Sequence, residues 1–77
     1  MSTQLLDAAA ERARVRAFSE KRRAARVEAM TRALQAGLNT NAADAVVQSV
    51  MPVWDVELTP REWREFIDEE IERHAHP

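Results

Sequence analysis

Three observations predict an all-α fold, a single small domain of three or four helices over residues 1–77. Glycine occurs once, at Gly37, and proline three times, at Pro52, Pro60 and Pro77, which leaves little material for hairpins or sheets. From Thr3 to Ala36 neither residue interrupts a stretch rich in alanine, arginine and glutamate. The third observation is a helix-start signature at Thr59-Pro60-Arg61-Glu62, in which each residue type suits its position in a capped first turn.

The first helical stretch covers residues 3–36. Ser2 or Thr3 caps its start by accepting a backbone N–H that the first turn leaves unpaired. At 100° per residue its apolar side chains do not line up. Leu5, Ala8, Val15 and Phe18 make one ridge, while Val27, Met30 and Leu34 make another about 100° away, on the side of Arg12, Arg16 and Arg23. A straight helix would turn those arginines toward the neighbour of Met30 and Leu34. The pattern therefore favours a break at Ser19–Arg23, giving helices over 3–18 and 20–36, with one long helix carrying two contact faces as the alternative. Gly37 stands where a left-handed C-cap is expected and Leu38 follows as its apolar closure.

Asn39, Thr40 and Asn41 all suit an N-cap. With Asn41 in that role a helix runs from 42 to 51, and Ala43, Val46, Val47, Val50 and Met51 form a one-sided apolar stripe. Pro52 disfavours helical geometry at Met51 and ends it. Val53 to Leu58 alternates, which is the period of an extended segment, here a loop laying Trp54, Val56 and Leu58 on the core or a strand added to another chain.

The last helix runs from 60 to 74. Thr59 is its N-cap, Pro60 its first residue, Glu62 the return arm of a capping box, and Leu58 staples onto Trp63. Trp63, Phe66, Ile67 and Ile71 face inward and join Trp54, Leu58, Val46, Val47, Val50 and Met51 in the core.

Charge is sorted along the chain. Residues 1–32 hold eight of the eleven basic side chains and residues 33–77 nine of the thirteen acidic ones, so the net −2 conceals a dipole. Such asymmetry bears on partners and association. The acidic set, Asp55, Glu57, Glu62, Glu65, Asp68, Glu69 and Glu72, is the expected partner-binding surface. It suits a larger protein with a basic surface, one that itself binds nucleic acid being a natural target. The alternative is nucleic-acid binding through Arg12, Arg16, Arg22, Arg23 and Arg26. Against it stand the low pI of about 5.6 and the lack of an aromatic residue interleaved for base stacking.

Catalytic chemistry is not expected. No glycine-rich phosphate loop, Ser/His/Asp set or cysteine nucleophile is present, and a domain this small offers no depth for shifting carboxylate pKa values. Glu70, His74 and His76 are the one candidate ligand set, but a C-terminal end makes a poorly preorganised metal site, so neither metal nor cofactor is expected. No cysteine supplies a disulfide framework, no apolar stretch is long enough to span a bilayer, and Ser2 to Asp7 do not read as a secretory signal. The expectation is a soluble, cytoplasmic protein.

Met51-Pro52-Val53, followed by Pro60, Arg64, Phe66 and His74, resembles the order of residues in the small helical theta subunit of bacterial replicative polymerase. Small size, the absence of catalytic chemistry and the exposed charge, independently of that resemblance, give as the expected function a non-enzymatic protein-binding module, a small adaptor or inhibitor of the accessory type carried by bacteria or phages. The two ridges of residues 5–36 exceed what one small core can cover. They predict a homodimer that buries Leu5, Val15 and Phe18 between chains.

Overall fold

The computed structural model describes residues 2–55 and 57–75, and of residues 2–6 the backbone alone. Three α-helices form the domain: α1 (Ser2–Gln35), α2 (Thr40–Val50) and α3 (Pro60–Ala75), with a 3-10 turn at Met51–Val53. The all-α reading holds, and each helix packs against the other two. The molecule is long for its size. Its extents are 59 × 23 × 16 Å and its radius of gyration is 16.3 Å, against about 11–12 Å for a compact chain of this length.

The elongation comes from α1. Its 34 residues span about 51 Å at 1.5 Å per residue. No break occurs at Ser19–Arg23, contrary to the expectation from the misaligned ridges. That expectation assumed that both ridges reach one core along their length, whereas of the second ridge only Met30 packs against it and of the first only Phe18 comes near, at Trp54 on its edge. Glu20, Lys21, Arg22 and Arg23 are good helix formers, and nothing among them stops the helix. The face that packs is Ala25, Ala29 and Ala33, with Ala29 and Ala33 fully buried. Val27 and Leu34, expected inside, are 57% and 46% exposed, and Met30 is half-buried. Alanine faces let α2 and α3 approach α1 closely, which a ridge of larger residues would prevent. Residues 7–24 are exposed throughout, so the N-terminal half of α1 is an arm that projects from a three-helix bundle.

The helix ends as its sequence dictates. Gly37 takes φ +97°. Leu38 N–H donates to the Ala33 carbonyl at 3.2 Å and Gly37 N–H to that of Leu34 at 3.0 Å, the paired bonds of a Schellman cap. Leu38 is half-buried against the core. Asn39, rather than Asn41, caps α2: its Oδ1 accepts from Ala42 N–H at 2.8 Å. The earlier cap wins because the chain leaves the Schellman turn already extended at Asn39, with ψ 171°. Ala43, Val46, Val47 and Val50 are buried as expected.

Pro52 does not expel Met51 from helical geometry, which remains at φ −61°, ψ −31°. The helix tightens instead into the Met51–Val53 turn, where Pro52 needs no N–H. Trp54 and Asp55 continue as a turn, so the expected extended run does not begin at Val53. Val56 lies outside the described residues. Trp54 and Leu58 are nonetheless half-buried against the core, as are Met51 and Phe66.

At α3 the capping box forms in both directions. Glu62 N–H donates to Thr59 Oγ1 at 3.1 Å, and Thr59 N–H donates to Glu62 Oε1 at 3.0 Å. Leu58 and Trp63 border one cleft, as the staple requires. Trp63, Ile67 and Ile71 are buried, with Ile67, Val46, Val47 and Val50 sealed completely. No helix among the described residues is long and apolar enough to cross a membrane.

Candidate interaction surfaces

The core fixes how α3 is rotated. With Trp63, Ile67 and Ile71 inward, Glu62, Glu65, Asp68, Glu69 and Glu72 fall on the opposite side, all exposed. Asp55 and Glu57 are exposed in the segment that leads into the helix. The structure thus brings the predicted acidic residues of α3 onto one face.

Part of that charge is already engaged. Asp68 takes a forked contact from Arg32 of α1: Nη2 to Oδ2 at 2.7 Å, Nη2 to Oδ1 at 2.9 Å and Nε to Oδ1 at 3.2 Å. The hydrogen bond to Asp68 raises the Arg32 pKa further above its ordinary value. Arg61 Nε meets Glu65 Oε1 at 3.0 Å, with both side chains largely exposed, which adds little stability. Glu62 is spent on the cap, and the backbone N–H of Thr59, helped by its hydroxyl, holds the carboxyl below its ordinary range. Glu69, Asp55 and Glu57 take part in no ion pair among the described residues.

Glu70 stands apart. It is the one buried charged residue among those described, and its Oε1 accepts from Arg73 Nη1 at 3.0 Å. That contact occupies the carboxylate that sequence spacing offered as a ligand beside His74. His76 lies outside the described residues, and no cluster of three metal-ligating side chains occurs among those described.

The basic residues behave differently. Arg12, Arg16, Arg22, Arg23 and Arg26 are exposed and none has an ion pair among the described residues. Arg22 and Arg26 lie on the α2 side of α1, Arg12 and Arg16 on the arm, and Arg23 also borders a hollow with Ala24, Glu28 and Arg32. Arg22 and Arg26 border a cleft with Val47, Gln48 and Met51, whereas α3 approaches along Lys21, Ala24, Ala25 and Glu28. Arg22 and Arg26 therefore stand on one flank of α1 and α3 on the other.

Sequence reasoning missed an aromatic pair on this basic side. Phe18, half exposed, meets Trp54 with ring centroids 5.0 Å apart and planes at 57°. Phe18 and Arg22 are one turn apart, a spacing visible in the sequence. Trp54 arrives only through the 3-10 turn, which no local pattern announced.

Comparison with family models, with curated proteins and with solved structures finds no match to this chain.

Proposed function

We propose that the protein is a non-enzymatic interaction module, an adaptor or inhibitor of bacterial or phage accessory type, that docks a basic surface of a larger protein through the acidic face of α3. The observation that carries this reading is the placement of Glu62, Glu65, Asp68, Glu69 and Glu72 on the outer face of a helix whose inner face is locked by Trp63, Ile67 and Ile71. Charge held on a rigid helix steers association and raises the on-rate toward an oppositely charged surface. Where the target itself binds nucleic acid, the carboxylates compete by presenting negative charge in place of phosphate. Replacing Glu65, Asp68, Glu69 and Glu72 by Gln or Asn keeps the helix and removes the charge. A partner isolated by affinity capture should then associate at least tenfold more slowly at low salt; an unchanged on-rate refutes the acidic face as the docking surface.

A second reading, nucleic-acid binding through Arg12, Arg16, Arg22, Arg23 and Arg26, is favoured by the absence of carboxylate partners for these side chains among the described residues. The arm also offers exposed Val15 and Phe18 for an isologous pairing of two chains; Leu5, whose side chain is outside the described residues, completed that face in the sequence. Sedimentation that finds a monomer at high micromolar concentration removes the dimer.

A further inference from the structure

Where the arm of α1 leaves the bundle, a shallow cavity of about 480 Å³ is lined by Phe18, Ser19, Arg22, Arg23 and Arg26. It adjoins the cleft that Arg22 and Arg26 share with Gln48 of α2. We propose that this cavity binds single-stranded nucleic acid, the three guanidinium groups taking phosphodiester oxygens while Phe18, backed by Trp54, stacks a base. The inference rests on the second reading above and gives it a location; it is independent of the acidic face.

Four features lead to that ligand. Arg22 and Arg26 stand one helical turn apart with Arg23 beside them, so planar donors converge on one short stretch of backbone. Their charge is not consumed within the molecule, since none has a carboxylate partner among the described residues. Phe18 is 51% exposed and carried on a helix, while its contact with Trp54 at 5.0 Å supports the ring from one side. A supported, half-exposed aromatic beside arginines is the combination that single-stranded ligands use, because every unstacked base has a π-face and every linkage a charge. A duplex hides its bases and would leave the aromatic pair idle. The overall negative charge is not concentrated at the site, because no carboxylate lines the cavity and the acidic face belongs to α3.

The test uses the full chain and a fluorescently labelled ten-residue oligothymidylate. Binding followed by anisotropy should weaken linearly in log salt with a slope of about −2, roughly 0.7 for each of three phosphates neutralised. It should quench Trp54 through its contact with Phe18, a signal that Trp54→Phe abolishes. Phe18→Ala should weaken binding about tenfold at unchanged salt slope, and Arg22→Gln with Arg26→Gln should lower the slope by about 1.4. Arg61→Gln on α3 serves as the control and should change nothing. Circular dichroism establishes that each variant remains helical. If the oligonucleotide binds with the expected salt slope but Phe18→Ala binds as the parent does, the stacking site is overturned while arginine-mediated binding stands. If the parent fails to bind at low salt, both fall. Binding to phosphatidylserine vesicles without binding to the oligonucleotide overturns the proposal in favour of a membrane surface, and a dimer that the oligonucleotide does not dissociate overturns it in favour of a second copy.

Discussion

The two halves of α1 share a composition and differ in what holds them helical. Residues 25–36 are clamped by α2 and α3 through Ala25, Ala29 and Ala33, whereas residues 7–24 are exposed, and only from Phe18 onward do they border the bundle, at Trp54 and the flanks of α2 and α3. Over residues 7–17, propensity and the Glu11–Arg14 pair at 2.9 Å act alone, and an isolated helix of that length is marginal in water. In the second half the apolar content of α1 itself is modest, and stability comes from what α2 and α3 bury upon it. Arginine and alanine thus serve two purposes in one element: small side chains admit neighbours, and long charged ones keep the rest of the surface free.

Hydrogen exchange should break this comparison open most widely. Amides at 29–33, 46–50 and 67–71 should exchange only through global opening, while those at 7–17 exchange by local fraying, orders of magnitude sooner. Equal protection along α1 would show that the arm is covered. Trp63→Ala follows, with an expected loss of about 3–5 kcal/mol for a buried aromatic. Trp63→Phe sharpens the point: the indole Nε1–H is buried without an acceptor among the described residues, so removing that donor should offset part of the lost packing and leave a change below about 1.5 kcal/mol. A melt of Trp63→Phe as low as that of Trp63→Ala would place a partner at that nitrogen.

Smaller effects divide the two halves more finely. Ala29→Leu forces a larger side chain between α1 and its neighbours and should cost about 1–3 kcal/mol, whereas Ala13→Leu on the arm should stay within about 0.5 kcal/mol. Thr59→Ala removes one arm of the capping box and should cost about 1 kcal/mol. Glu62 gives the least and the most pH-specific signal. Its folded pKa lies below the ordinary value of 4.5, so its contribution is complete above that value and is lost as pH falls through the depressed one. Urea midpoints of Glu62→Gln and the parent should therefore converge on acidification; a constant gap from neutrality down to strongly acidic pH would show that the carboxylate charge is not what the cap uses.

The sequence announced whatever depends on adjacent residues. The capping box needs Thr59 and Glu62 three residues apart, the Schellman cap needs Gly37 before Leu38, and the α2 stripe repeats within one helix, so each was legible. Which side of α1 packs was not, because alanine hardly registers in a pattern that weighs side chains by apolar bulk. Val27, Met30 and Leu34 outweighed Ala25, Ala29 and Ala33 on paper and yielded to them in space. The acidic face of α3 followed directly from its helical phase. The fork between Arg32 and Asp68, 36 residues apart, and the meeting of Phe18 with Trp54 depend on tertiary approach and left no local trace.

A rod gripped at one end is a lever. The unbroken α1 runs about 30 Å from the alanine grip to its first turn at 1.5 Å per residue, so a ten-degree tilt at the grip displaces the far end by about 5 Å. The ratio works in reverse. A load that bends the free end by a few ångströms arrives at Ala29 and Ala33 as a fraction of that distance, in a region packed too closely to yield. Trp54 rests against Phe18 near the fulcrum, and its fluorescence is therefore a built-in gauge of how the rod is being held.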